Sequence, residues 1–353
     1  MNILFSAGGT LGHIYPAISL INQMLDEDND LNIFFIANRK DQSYMEILKL
    51  SKKVKIIYYD AYGIAKSPLK LIKALIINSI TYNKIKKTII QNNIKLAIGM
   101  GGYISGITIK ASKRCKIKTI IHEQNSILGL ANKMSLKYTD LFLTTFPMTK
   151  YISNQYVVGN PRYFEASLYK DNILKSKYNL LIISGTLGAE FINKIASEFL
   201  QSSFSKKFLV TLITGKRYYN NVLKHLTQCS HFQVLPFSNN VLNLISQSGI
   251  VISRAGSSTI FEILGAVSIP ILIPSPNVSK NHQYYNAKAV VDQGLGYMIE
   301  EKNLSLKILN ETIDKALKNY DFFINKINEY SFDYQKNDML NYIRKLMEGD
   351  AVC

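Results

Sequence analysis

The sequence predicts an α/β protein of two doubly wound domains, 1–160 and 161–353, facing a central cleft. Three observations predict it. The tetrapeptide Gly-Thr-Leu-Gly occurs at 9–12 and again at 185–188, each time after a short apolar run and before an amphipathic stretch. Short β-branched runs alternate with longer helical ones along the whole chain. Gly159-Asn160-Pro161 breaks that alternation and separates two series. A buried strand, a glycine turn and a helix start present backbone N–H groups to an anion, so a nucleotide-type ligand is expected.

The first series opens with Asn2–Phe5, the glycine turn and a helix over Ile14–Leu25. Strands follow at Asn32–Ala37, Val54–Tyr58, Leu96–Ile98, Lys118–Ile121, Leu141–Thr144 and Tyr156–Val158. The second series reads Leu180–Ile183, a helix at Phe191–Leu200, then strands at Phe208–Thr214, Phe232–Leu235, Gly249–Ile252, Pro270–Ile273 and Gly296–Ile299. Such alternation implies parallel sheets with right-handed crossovers, which bind ligands beyond the carboxyl ends of their strands. The tail from Leu306 to Met347 reads as helical and polar-faced, and its last helical segment is expected to pack back on the first domain.

With 353 residues, 47% hydrophobic and 19% charged, each half can bury a core, and a disordered chain is excluded. No apolar run reaches the ~18 residues of a membrane span. Met1-Asn2 leads straight into a strand pattern without a basic leader. Cys115, Cys229 and Cys353 are too few and scattered for a disulfide framework or a zinc site, so a reducing cytoplasm is expected. Asp26-Glu27-Asp28-Asn29-Asp30 falls in a polar connection at the wrong end of the sheet, and His225 and His231 lack partners at ligand spacing. Neither a metal nor a cofactor is expected.

The net charge of +17 is unevenly placed. No Asp or Glu lies between Ala61 and His122, while Lys or Arg recurs from Lys66 to Lys118. Such a surface suits an anionic lipid surface, nucleic acid or a polyanionic substrate. Nucleic-acid binding would interleave aromatic residues with the Lys clusters. Only Tyr82 and Tyr103 do so and no recognition motif is present, so no nucleic-acid partner is expected. The glycine spacing also disfavours a P-loop and a dinucleotide fingerprint.

Four segments carry candidate chemistry. His13 falls in the first turn after the Ser6–Gly12 loop, where the positive helix end favours neutral imidazole, a base or hydrogen-bond donor. A second loop, Gly99-Met100-Gly101-Gly102-Tyr103-Ile104-Ser105-Gly106, ends the fourth strand, and His122-Glu123-Gln124-Asn125 ends the fifth. In the second half, small residues at Ser253–Thr259 open a helix suited to a phosphate. Glu262, one turn on, can accept two ribose hydroxyls. Asn281–Ala287 is a further polar cluster.

In order and spacing, Gly8-Gly9-Thr10-x-Gly12-His13, the Gly99–Gly106 loop, His122–Asn125, Gly159-Asn160-Pro161 and Arg254-x-Gly256 through Glu262 resemble the MurG family. These are inverting peptidoglycan N-acetylglucosaminyltransferases of the GT-B fold, with two Rossmann-like domains, and the match spans Met1 to about Gly296. The resemblance implies that the C-terminal domain binds UDP-N-acetylglucosamine. Glu262 would hold the ribose. Ser257, Ser258 and Thr259 would lie near the pyrophosphate, with the Ser184–Thr186 loop on phosphate. Phe237-Ser238 would meet uracil and Gln283 the sugar. Arg162 completes the donor set. The N-terminal domain would bind undecaprenyl-linked lipid I, with Gly101, Gly102, Tyr103 and Ser105 on the acceptor side. Thr10, Leu11, Gly12, His13 and Asn125 would sit where donor and acceptor join. His13, Glu123 and Asn125 are the catalytic candidates, with His13 as base or oxyanion partner.

The chain departs from the family pattern at Leu11 (usually Gly), Leu187 (usually Gln) and His282 (usually Gln). Its Arg162 comes one position early, with Tyr163 at the expected place. Leu69–Ile90 mixes Leu71, Ile72, Leu75, Ile76 and Ile80 with Lys70, Lys73, Lys84, Lys86 and Lys87. It suits a helix resting on an anionic leaflet, which places the protein peripherally on the cytoplasmic face of the bacterial inner membrane. Another UDP-sugar enzyme, a glycolipid glycosyltransferase or an epimerase, is the alternative.

Overall fold

The computed structural model describes residues 1–43, 53–63, 67–148, 152–185, 188–227, 229–333 and 337–349. They fall into two compact units, Met1–Pro161 with Lys336–Cys353, and Arg162–Gln335.

The first unit carries β1 (Asn2–Ala7), β2 (Asn32–Asn38), β3 (Val54–Tyr59), β4 (Leu96–Gly99), β5 (Lys118–Glu123), β6 (Leu141–Thr144) and β7 (Gln155–Val157). They form a parallel sheet in the order β3-β2-β1-β4-β5-β6-β7. Its helices are α1 (Leu11–Glu27), α2 (Pro68–Gln91), α3 (Tyr103–Arg114) and α4 (Leu130–Ser135). Successive strand residues point to opposite faces. Ile3, Phe5, Ile33, Phe35, Leu96, Ile98 and Leu141 therefore pack with Ile14, Leu20 and Ile21 of α1. Leu4, Phe34, Ile36, Ala97, Ile121 and Phe142 pack with Ile85 and Ile89 of α2 and Ile104 and Ile109 of α3. Both faces being covered, the strands read as unbroken apolar runs.

The second unit repeats the scheme. It holds β8 (Ser176–Ile183), β9 (Leu209–Ile213), β10 (Phe232–Leu235), β11 (Ser248–Ser253), β12 (Ile269–Leu272) and β13 (Tyr297–Met298). All pair parallel in the order β10-β9-β8-β11-β12-β13. Around them lie α5 (Pro161–Ser167), α6 (Glu190–Leu200), α7 (Tyr219–Lys224), α8 (Val241–Gln247), α9 (Ser257–Gly265), α10 (His282–Val291), α11 (Leu306–Lys318) and α12 (Tyr320–Asp333). Ala166 of α5, Ile245 of α8 and Ile263 and Ala266 at α9 cover Leu181, Ile183, Ile213 and Val251.

The tail is not one stretch. Ser305 starts α11, its side chain accepting from Ile308 N at 3.3 Å, and Asn319 ends it. The last helix, α13 (Asn337–Glu348), returns to the first unit. There Met339, Leu340, Ile343 and Leu346 complete the core that α1 builds, and Tyr342 meets Tyr156 with ring centroids 4.5 Å apart.

Candidate functional site

In each sheet the chain runs outward one way from the first strand and the other way from the fourth. The reversal lies between β1 and β4 in the first unit and between β8 and β11 in the second. Loops beyond the carboxyl ends of such a pair diverge and leave room for a ligand. The glycine loops after β1, β4 and β8 and the Ser253–Gly256 loop after β11 all lie there.

In the first unit Thr10 is exposed, Leu11 half-buried and Gly12 exposed. His13 stands in the first turn of α1 with Nδ1 3.0 Å from the Gly8 carbonyl and 3.4 Å from Thr10 Oγ1. A carbonyl only accepts, so this bond puts the proton on Nδ1 and leaves Nε2 as the basic nitrogen. The ring lies against the second glycine loop. At Gly101 φ is +111°, and a Cβ there would come within 2.6 Å of the His13 ring. Only glycine lets the two loops meet.

The β1 turn does not offer all its amides outward. Gly9 N donates to Oδ2 of the buried Asp41 at 2.7 Å, so this chain supplies its own anion to that donor. Sequence reasoning overlooked Asp41, which comes from the end of β2 and has no motif around it.

The His122–Asn125 segment splits into two roles. His122 is fully buried; Nε2 donates to the Gly159 carbonyl at 2.9 Å and Nδ1 faces Gln124 Nε2 at 3.2 Å. Burial pulls it down to about 4, and the Gly159 bond opposes this. It is a neutral pin between β5 and the Gly159 turn. Glu123, expected to be catalytic, is 1% exposed. Its Oε1 accepts from Asn125 N (3.0 Å) and Nδ2 (3.3 Å), its Oε2 from Gly129 N and Asn132 Nδ2 (both 2.9 Å). Four donors fill the carboxylate, which therefore brackets the loop and positions the half-buried Asn125. Of the acceptor-side candidates, Ser105 is 1% exposed under β4, against Gly99, whereas Tyr103 is 40% exposed and Gly102 half-buried.

In the second unit Ser184 Oγ meets Asn193 Oδ1 at 2.5 Å and Asn193 Nδ2 donates to the Thr214 carbonyl, fixing the β8 loop. Thr186 and Leu187 lie outside the described residues. Ser257, Ser258 and Thr259 form the first turn of α9; that turn contains no acidic residue, and the cap of the helix, Gly256, has no side chain. A helix start of this kind attracts anions. Arg254 donates from Nη1 to the Ile273 and Pro274 carbonyls and pairs with Glu301, bracing the loop after β12. Ser275 N in that loop donates to Gln283 Oε1 of α10 at 2.9 Å, and Asn286 Nδ2 of α10 reaches the Ala255 carbonyl at 3.2 Å. Ser238 Oγ accepts from Asn240 N at 3.1 Å beside the exposed Phe237.

Glu262 is not the open carboxylate that its spacing suggests. Arg162 Nε and Nη2 reach its Oε1 at 2.7 and 2.6 Å, both residues being 8% exposed, and Nη1 pairs with Glu165. The partners of the Arg162 guanidinium thus include two carboxylates, those of Glu262 and Glu165. Among the described residues no three His, Cys, Asp or Glu gather as metal ligands. The Asp26–Asp30 stretch is a connection in which Asp28 Oδ1 accepts from Asp30 N, and Glu27 pairs with Arg344.

Residues 3–144 match the glycosyltransferase family 28 N-terminal domain and 179–339 the C-terminal domain of the same family. A Leuconostoc mesenteroides protein named UDP-N-acetylglucosamine–N-acetylmuramyl-(pentapeptide) pyrophosphoryl-undecaprenol N-acetylglucosamine transferase is 32% identical, covering 90% of this chain and 91% of its own. A Finegoldia magna protein of the same name is 30% identical over 99% of both. The Acinetobacter baumannii MurG crystal structure shares the fold with a TM-score of 0.74, 20% identity and 99% of both chains. A UDP-GlcNAc 2-epimerase from Methanocaldococcus jannaschii also shares it, at 0.57, 11% identity and 90% and 92% of the chains. The sequence relatives decide between these two, and the chain belongs to glycosyltransferase family 28, among the pyrophosphoryl-undecaprenol N-acetylglucosamine transferases.

Proposed function

We propose that this chain transfers N-acetylglucosamine from UDP-N-acetylglucosamine to the muramoyl 4-hydroxyl of lipid I, giving lipid II with inversion at the anomeric carbon. The observation that carries the reading is where the family motifs lie. Each of the five begins at the carboxyl end of a strand of its own sheet, the edge at which such sheets bind ligands.

The first unit would take the acceptor and the second the donor. His13 Nε2 accepts the proton of the muramoyl 4-hydroxyl, whose oxygen attacks the anomeric carbon. The bond from that carbon to the diphosphate oxygen breaks, and its electron pair leaves with UDP. Negative charge growing on the diphosphate is met by the start of α9 at Ser257, Ser258 and Thr259 and by the Ser184–Thr186 loop. Glu262 takes ribose hydroxyls, Gln283 the sugar hydroxyls, and the Phe237-Ser238 backbone the uracil. Thr10, Leu11, Gly12 and Asn125 border the reacting atoms, and Gly101, Gly102 and Tyr103 border the acceptor.

Lipid I is membrane-bound, and α2 supports a peripheral contact. Leu69, Ile72, Leu75, Ile76 and Ile80 are 50% to 81% exposed along it, with Lys70 and Lys73 among them and Lys84 and Lys87 following. An exposed apolar stripe ringed by ammonium groups fits an anionic leaflet. No helix among the described residues is long and apolar enough to cross a membrane.

The test is UDP release from UDP-N-acetylglucosamine with and without a lipid I analogue. Acceptor-dependent release lost in His13→Ala is expected. Release without acceptor would point to an epimerase or hydrolase and overturn the reading.

A further inference from the structure

We propose that Arg162 is a positioning residue for the donor, acting on the ribose through Glu262 and not on a phosphate. The inference rests on the reading of Glu262 as the ribose acceptor.

The guanidinium and the carboxylate are a hundred residues apart in sequence, on helices α5 and α9 of the second unit. Those helices touch closely. A Cβ on Gly265 would run into the Tyr163 backbone carbonyl, so glycine there lets α5 lie on α9. Tyr163 itself is 4% exposed. Beginning at Pro161, α5 turns the Arg162 side chain along α9, toward the carboxylate one turn into that helix.

The fork is used asymmetrically. Nε and Nη2 both end on Oε1 of Glu262, and Nη1 ends on Oε2 of Glu165. Oε2 of Glu262 takes no hydrogen bond among the described residues. One oxygen is thus anchored and the other retains its lone pairs for hydroxyl donors. A carboxylate fixed by a planar fork has lost its rotamer freedom before ligand arrives.

The pairing also opposes the effect of burial on the acceptor. Burial pushes the Glu262 carboxyl up, Arg162 beside it pulls it down, and Glu165 pushes it up again. The neighbouring α8 and β12 contain no charged residue. The early position of Arg162 relative to the family pattern then has a physical meaning, a different target for its side chain.

Calorimetric binding of UDP, 2′-deoxy-UDP and uridine, with thermal unfolding of each variant, tests this. Wild-type protein is expected to bind UDP about ten-fold or more tighter than 2′-deoxy-UDP. Arg162→Gln and Glu262→Gln should each bring that ratio near one while keeping the preference for UDP over uridine. The double variant should add nothing further, and Arg162→Lys, which keeps the charge without the fork, should fall between. Arg162→Lys reads the same ratio should Arg162→Gln fail to fold. If Arg162→Gln keeps the ribose ratio and loses the preference for UDP over uridine, the residue contacts phosphate and the proposal is wrong. A lower melting temperature with both ratios intact makes the pair merely structural and also overturns it. If the wild type does not distinguish UDP from 2′-deoxy-UDP, or Glu262→Gln leaves the ratio unchanged, the ribose reading itself falls and takes this role with it.

Discussion

His13 is held on one side by the Gly8 carbonyl and backed on the other by a residue with no side chain. Gly101→Ala would push a methyl into the ring at a backbone conformation alanine rarely adopts. The expected outcome is a fall in kcat of about 10²-fold or more, the range set by misplacing a general base. Thermal unfolding should show the protein still folded; full activity would show that the ring moves freely. His122 gives a pH dependence. It sits at about 4 when folded, against about 6.5 unfolded, so the folded state binds fewer protons. Its contribution is complete above about pH 6.5 and declines as pH falls toward 4, with roughly 2 kcal/mol gone by pH 5. Urea midpoints should therefore drop from pH 7 to 5, and His122→Gln should flatten the drop; an equal slope in the variant would assign it to other groups. Motif reading found His13, His122 and Glu123 but not their exposure or hydrogen-bond partners, and for Glu123 the partners Gly129 and Asn132 lie six and nine residues on. Asp41 and the Arg162–Glu262 pair were not legible because each is made by chain segments distant in sequence.

The strands were legible because both faces of each sheet are covered, which turns them into compact apolar runs bounded by turns. Their ends were less so. Gly296–Ile299 contributes only Tyr297–Met298, an edge pairing two residues long. The helices were legible by their buried faces, and α2 shows where that rule needs care. Its buried residues are Ala74, Thr81, Ile85, Thr88 and Ile89, while its first half keeps large apolar side chains outside. Leu75, 61% exposed, makes no core. Leu75→Glu should leave the melting temperature within a degree or two. It should weaken flotation with vesicles of anionic phospholipid about ten-fold, from lost apolar burial and added repulsion. Unchanged flotation would remove α2 as the contact.

On the scale of the molecule, the two halves were legible from their repeated strand–turn–helix openings, and a return of the last helical segment to the first domain was expected. The polar-faced pattern itself says only that a helix needs a partner surface, so the residues that it meets there were not legible. In the structure α13 takes its place beside α1, and Leu340 and Ile343 are each 3% exposed. Leu340→Ala should cost about 2–5 kcal/mol. Fragment-resolved hydrogen exchange should show the loss in β1, β2 and α1 and leave β8 and β11 protected; a loss spread evenly over both units would contradict that assignment. The same helix constrains the order of events at the ribosome. Residues 337–348 are translated after the whole of the second unit, so the amino-terminal unit leaves the exit tunnel with part of its apolar face uncovered. It stays exposed to chaperones and to misassembly until synthesis is nearly over, while the unit made later can close first.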